Sequence, residues 1–250
     1  MNTPSVLAGK SVLVTGAARR VGATIVRTLH AHGANVLIHH RASARAASEL
    51  AAALNAVRSG SAAVAQADLR ELPAHARLVE SAVNEFGRLD VLVNNASSFY
   101  PTPLGEITES QWEDLIGSNL KAPLFLSQAA APQLRRTRGL IVNIVDIHAR
   151  RPLKRYTVYC IAKAGLAMLT RSLARELGPD VRVNGVAPGP VLWPADDLDE
   201  ALKAEIIERT ALKRQGSPED VARAVLFFSA DAAYVTGQVL AVDGGRSIGW

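Results

Sequence analysis

Tyr159 and Lys163 stand four positions apart in the run Tyr159-Cys160-Ile161-Ala162-Lys163, a spacing that puts both side chains on one face of a helix. A phenol that ionises near ~10 is a poor acid or base at neutral pH, and an adjacent ammonium lowers that value by favouring phenolate. The pair suits proton transfer. Asp146 lies thirteen positions upstream and adds a carboxylate, while Thr15 to Gly22 carries a glycine-containing turn. A bare Tyr-x-x-x-Lys is as readily a solvated lysine beside a half-buried tyrosine, so the elements around it decide its meaning.

Those elements follow a simple rhythm. Apolar runs rich in Val, Ile and Leu recur at Ser11 to Val14, Asn35 to His39, Ala63 to Gln66, Val91 to Asn94, Leu140 to Val145, Arg182 to Ala187 and Val239 to Val242, and read as buried parallel strands. Between them, segments with helical periodicity fall near 20–32, 43–58, 74–86, 109–136, 157–177 and 218–229. The alternation predicts an α/β fold, one doubly wound Rossmann-type domain over 1–250 with helices on both faces and right-handed crossovers. Ser217-Pro218-Glu219-Asp220 is a helix start and Gly178-Pro179 a stop. The Pro/Gly-rich and then acidic stretch from Pro188 to Ala201 has weak periodicity, and a substrate lid is expected near 188–217.

Composition excludes several classes. With 48% hydrophobic and 20% charged residues the chain is that of an ordinary globular protein. No basic-then-apolar leader precedes Ser11 and no long apolar run appears, so a cytoplasmic protein with no membrane association is expected. Cys160 is the only cysteine, which rules out an internal disulfide and a cysteine-based metal site; a small buried helix residue is its expected role. The six histidines form no metal set, since His39 and His40 are adjacent and point to opposite faces of a strand. The net charge of +5 is dispersed among acids, so nucleic acid is not an expected partner; anionic small molecules are.

The first strand runs directly into Gly16-Ala17-Ala18-Arg19-Arg20-Val21-Gly22, whose amides and following helix would face a pyrophosphate. Arg20 holds the place where a middle glycine is expected. At the end of the second strand an acid would bind a free ribose 2′-hydroxyl; His39, His40 and Arg41 instead offer cations suited to a 2′-phosphate, and NADPH is the expected cofactor. Asp68, followed by Leu69, could accept from an adenine amino group or cap a helix.

Thr15-Gly16, Asn94-Asn95-Ala96, Asn119, Tyr159/Lys163, Pro188-Gly189 and Asp243-Gly244-Gly245 together resemble the short-chain dehydrogenase/reductase family over essentially the whole chain. The resemblance implies a seven-stranded sheet, Tyr159 as proton donor, Lys163 holding the nicotinamide ribose and lowering the phenol pKa, Asn119 supporting a relay water, and a homotetramer. Two departures are similar to the pteridine reductases: Asp146 replaces the usual serine, and Asn95-Ala96-Ser97 continues as Ser98-Phe99-Tyr100-Pro101. By position in that group, Arg20 would contact pyrophosphate and pterin, Ser97 would bond the pterin, and Phe99 would stack on it. Asp146 could pair with a 2-amino-pyrimidine edge or relay a proton, or form an ion pair with Arg150 or Arg151; Phe99 could equally fill core. Tyr100 and Tyr156 read as structural. In the lid, Val191 stands where a polar side chain is common in that group, and Trp193 adds a second large aromatic.

The reading that follows is an NADPH-dependent reductase of dihydropterin, with biopterin, folate or dihydrofolate as further small-molecule substrates. A carbonyl or 3-oxoacyl reductase is the rival of the same fold, which Asp146 disfavours because a carboxylate repels a developing oxyanion. A non-catalytic NADPH-binding redox sensor is the rival of another class.

Overall fold

A computed structural model of the chain describes residues 5–193 and 199–248. Seven strands, β1 (Ser11–Val14), β2 (Asn35–His40), β3 (Ala62–Gln66), β4 (Val91–Asn94), β5 (Leu140–Ile144), β6 (Arg182–Pro188) and β7 (Val239–Val242), form one sheet in the order β3-β2-β1-β4-β5-β6-β7. Every pairing is parallel, as in Val12 opposite Val36 and Val91. The helices are α1 (Arg20–Ala31), α2 (Ala44–Val57), α3 (Leu72–Phe86), α4 (Glu109–Ile116), α5 (Ala122–Thr137), α6 (Thr157–Leu177), α7 (Glu200–Glu208) and α8 (Pro218–Ala230).

The uninterrupted apolar strands are explained by burial on both faces. Val12 and Val14 pack in one layer with Ile25 and Leu29 of α1 and Val225 and Phe228 of α8, whereas Leu13 belongs to the opposite layer with Leu78 of α3 and Leu126 of α5. Phe228 is among the largest fully buried side chains, and Phe228→Ala would cost about 3–5 kcal/mol. The start of α8 is the expected one: Ser217 Oγ accepts from the Asp220 amide at 3.3 Å, and Asp220 accepts from the Ser217 amide at 2.9 Å. The helix α6 ends at Leu177, before Gly178-Pro179.

Two elements depart from expectation. The segment 109–136 is not one helix, because a π-helical turn at Gly117–Lys121 separates α4 from α5. The segment expected to form a lid carries its own helix, α7, none of whose side chains is buried; without an inward apolar face it leaves no periodic signal. Residues 194–198 of the expected lid lie outside the described residues. Chain order reverses between β1 and β4, so the carboxyl ends of these strands flank the crevice where ligands bind in such sheets.

Candidate active site

The turn after β1 is tied across that crevice. Thr15 Oγ1 accepts from the amides of Asn95 (2.9 Å) and Ala96 (3.0 Å), and Asn95 Nδ2 donates to the carbonyls of Thr15 (2.8 Å) and Gly16 (3.1 Å). Gly16 has φ 59°, and a Cβ there would lie 2.9 Å from Ala96 Cα. At Gly22 a Cβ would meet Gly16 O at 2.5 Å and Asn95 Nδ2 at 2.6 Å, so helix and turn approach only because both residues lack side chains. Helix α1 begins with no side-chain cap and no acid in its first turn, leaving the amides of Arg20, Val21 and Gly22 and the positive dipole end open at the cavity.

Arg20 occupies a true glycine slot. Its φ is 53°, a conformation that costs an L-residue about 1–2 kcal/mol. Its guanidinium Nη2 donates to the Trp193 carbonyl at 2.7 Å, tying the turn after β1 to the segment after β6.

At the end of β2 the expected cluster of cations does not form. His39 is buried; its Nδ1 accepts from the Gly16 amide at 3.1 Å and its Nε2 faces the Ala67 carbonyl at 3.1 Å. Burial pulls its pKa down to about 4, so it is neutral near pH 7. His40 is buried too and is not among the cavity-lining residues. Of these three residues, Arg41 is the exposed cation that lines the cavity. Asp68 and Leu69 line the cavity, but Asp68 does not cap α3, whose N-cap is Glu71. The Arg70 guanidinium, 2.6 Å away, holds the Asp68 carboxyl down at about 2.

The catalytic candidates meet where β5 and α6 converge. The Tyr159 hydroxyl donates to Asp146 Oδ2 at 2.7 Å, while Asp146 Oδ1 accepts from the His148 amide at 2.8 Å and caps a short 3₁₀ turn, Ile147–Ala149. Lys163 Nζ donates to the Ile144 carbonyl at 2.9 Å and stands 5.6 Å from the centre of the Tyr159 ring. Burial lowers the lysine pKa to about 8, against the pull of the Asp146 charge. The expected lowering of the phenol pKa is reversed. Burial first, then the charge and hydrogen bond of Asp146, push Tyr159 well above its ordinary value, because the ammonium is engaged at a carbonyl and the carboxylate sits at the phenol oxygen. Tyr159 is therefore held as an acid.

Asn119 lies in the π-helical turn and is fully buried, so it meets the cavity through the serines it bonds, Ser97 foremost. Its Oδ1 accepts from Ser97 Oγ at 2.7 Å, and its Nδ2 donates to the carbonyls of Ser98 (2.9 Å) and Leu115 (3.0 Å). One extra residue in a helical turn aims a side chain that a regular helix would turn aside. Phe99 is no core filler: it is 40% exposed, lines the cavity, stacks on Tyr156 at 4.6 Å and meets the Tyr159 ring edge-on at 4.8 Å. Tyr156, expected to be structural, is thus part of the cavity wall. Its spacing of three from Tyr159 at the start of α6 is the signal that could have found it. Tyr100 is structural, donating to Asp114 at 3.2 Å. Cys160 is buried, with Sγ accepting from the Leu153 amide at 3.3 Å.

Pro188, Gly189, Val191 and Trp193 complete a cavity of about 850 Å³, at the large end for small-molecule sites. A Cβ on Gly189 would lie 2.6 Å from that of Asp243, whose carboxylate accepts from the amides of Gly245 (2.9 Å) and Ser247 (2.7 Å). A glycine cradle with open amides at one end and a buried acid with a lysine at the other fit a dinucleotide lying across the carboxyl ends of the strands. No described helix is long and apolar enough to cross a membrane, and no group of His, Cys, Asp or Glu among the described residues could hold a metal ion.

The family model for enoyl-(acyl carrier protein) reductases matches residues 16–247. Pteridine reductase 1 of Leishmania tarentolae is 41% identical over 94% of this chain and 96% of its own. A 3-oxoacyl-(acyl-carrier-protein) reductase of Staphylococcus aureus is 36% identical over 94% and 97%, and a short-chain dehydrogenase/reductase of Cladobotryum 35% identical over 98% of each. The matches span the turn, the crevice and the Tyr159/Lys163 helix alike, and the chain belongs to the short-chain dehydrogenase/reductase family, oxidoreductases that draw on a nicotinamide cofactor.

Proposed function

We propose that this chain is an NADPH-dependent pteridine reductase, reducing a dihydropterin to its tetrahydro form and accepting biopterin, folate or dihydrofolate. The observation that carries the reading is the 2.7 Å bond from the Tyr159 phenol to Asp146, set beside the aromatic wall of Phe99 and Tyr156. A pterin is flat and rich in nitrogen, so it needs an aromatic face for stacking, an acid for ring nitrogen and a carboxylate for its amino-pyrimidine edge. The Leishmania relative supports the assignment.

NADPH supplies the hydride when bound. Gly16, Arg20, Val21, Gly22, Asn95, Ala96, Pro188 and Gly189 would hold it, with Arg41 as the cation for a 2′-phosphate and Asp68 and Leu69 at the adenine end. Tyr159 and Asp146 hold a proton within 2.7 Å of two oxygens and deliver it to the substrate ring nitrogen. Lys163 places positive charge beside the phenol ring and balances the phenolate that delivery leaves behind. Asn119, through Ser97, keeps the floor of the site rigid. Phe99 and Trp193 fix the substrate plane, a positioning effect. The unit of action is one domain, 1–250, with a lid at 188–217, working as a cytoplasmic homotetramer.

The 3-oxoacyl reductase among the relatives keeps carbonyl reduction as the second reading. Against it stands Asp146, which offers an acceptor where a ketone oxyanion needs a donor. NADPH oxidation measured with dihydrobiopterin, dihydromonapterin, dihydrofolate and a ketone panel decides. Turnover of dihydropterin with poor ketone reduction is expected; brisk ketone reduction without dihydropterin turnover overturns the substrate assignment.

A further inference from the structure

His39 stands at the end of β2, where a side chain could meet the adenosine ribose, yet its geometry gives it other work. Gly16 donates its amide proton to His39 Nδ1 at 3.1 Å. A backbone N–H can only donate, so Nδ1 carries the lone pair, the ring proton sits on Nε2, and Nε2 donates to the Ala67 carbonyl at 3.1 Å. Both bonds exist together only in the neutral Nε2-protonated tautomer. The main chain repeats the link: the His39 carbonyl accepts from the Ala17 amide at 2.8 Å. Two successive amides of the turn after β1 are thus bound to one residue of β2, whose ring also reaches the chain just beyond β3.

We propose that His39 is a positioning residue for the nicotinamide cofactor: its imidazole pins the Gly16 turn between β1 and β3, so that the uncapped amides of α1 are held where the pyrophosphate lies. It does not read the 2′-phosphate. Gly16 and Ala17 turn their amides away from the ligand, leaving the amides of Arg20, Val21 and Gly22 as the donors that face it. Burial keeps the ring neutral, with a pKa of about 4; His40 and His75 nearby act in the same direction and Asp68 opposes them. Removing the ring orphans the Gly16 amide and the Ala67 carbonyl together, and a glycine turn with positive φ has no side chain of its own to hold it.

The inference rests on nicotinamide-cofactor use and not on the pterin assignment, and its test needs no substrate. Dissociation constants of NADPH and NADH are measured by fluorescence titration for the wild type, His39→Leu and His39→Gln, with thermal midpoints alongside. For the Leu variant both constants should rise together by about tenfold or more, leaving their ratio unchanged; Gln, which can accept from Gly16 and donate to Ala67, should recover most of the loss. A rise for NADPH alone would place His39 at the 2′-phosphate and overturn the proposal. Unchanged dissociation constants with a lower midpoint would reduce it to a fold contact and overturn it equally. Should the Leu variant not fold, nitrogen NMR of the wild-type imidazole decides: the Nε2-protonated tautomer is expected from pH 6 to 8, and an Nδ1-protonated or charged ring refutes the geometry.

Discussion

Asp146→Asn removes the carboxylate charge and the phenol's acceptor while leaving the backbone contact of that residue in place. Asp146 makes two contacts, Oδ2 with the Tyr159 hydroxyl at 2.7 Å and Oδ1 with the His148 amide at 2.8 Å. The amide isostere keeps the second through its single oxygen, so the 3₁₀ turn stays capped, and it turns an NH2 group, a donor, toward the phenol oxygen. What it removes is the negative charge and the acceptor for the phenol proton, the two causes that raise the phenol pKa after burial. The phenol should become a stronger acid and yet a poorer catalyst, because the carboxylate that accepts its proton or passes one on is gone. If the pair acts as a proton relay worth 10²–10⁴ in rate, kcat with dihydropterin should fall by about that factor, equivalent to about 3–5 kcal/mol of barrier. Single-turnover and steady-state NADPH oxidation between pH 5 and 9 would measure it, with any alkaline limb moving to lower pH as the phenol pKa falls. Affinity for NADPH should be nearly unchanged. Asp146→Ala is the control, since it also removes the cap, worth about 0.5–2 kcal/mol, and should lower the melting temperature where Asn does not. An Asn variant that retains kcat within about threefold of wild type refutes the relay.

Three further substitutions test the cofactor end and the stored strain. Arg41→Asp should erase or reverse a preference for NADPH over NADH, read as the ratio of kcat/KM for the two cofactors; an unmodified protein that uses both equally sinks the assignment of Arg41. Lys163→Met removes a buried ammonium whose pKa is about 8 against 10.5 for the free side chain. The unfolded chain then binds the extra proton between those values, so stability of the wild type should rise relative to the Met variant as pH climbs from about 8 to 10.5, by about 3 kcal/mol in full, with the penalty complete below pH 8. Urea unfolding at pH 7 and 10 checks the sign. Arg20→Gly should relieve about 1–2 kcal/mol of backbone strain at φ 53°, raise the melting temperature by a few degrees, and weaken substrate binding by freeing the Trp193 carbonyl; a lower melting temperature would show that the clasp outweighs the strain.

The strands were legible because parallel strands are buried on both faces: Val12, Leu13 and Val14 must all be apolar, whichever layer each enters. The helix α7 was not, because nothing on it is buried, and the break at Gly117 was not, because a π-helical turn shifts the periodic pattern by a single residue. Residue types located the site, and Tyr159, Lys163, Asp146 and Phe99 do converge on one cavity. Their charge states were beyond sequence. Lys163 should have lowered the phenol pKa by its spacing, but its ammonium found the Ile144 carbonyl, and which carbonyl lies open at the end of a strand is a property of chain path and not of residue identity. His39 should have been a cation by its place at the end of β2, but burial decides whether an imidazole can charge, and burial there comes from the turn after β1 and the chain beyond β3 folding over it. Glycine slots behave in the same way: the turn pattern marked position 20 as one, and only the backbone shows that Arg20 fills it at positive φ, with the strain set against a bond to the Trp193 carbonyl. Type and spacing thus name the groups that can react, whereas the sign of each charge and the direction of each proton follow from what the fold places within hydrogen-bonding distance.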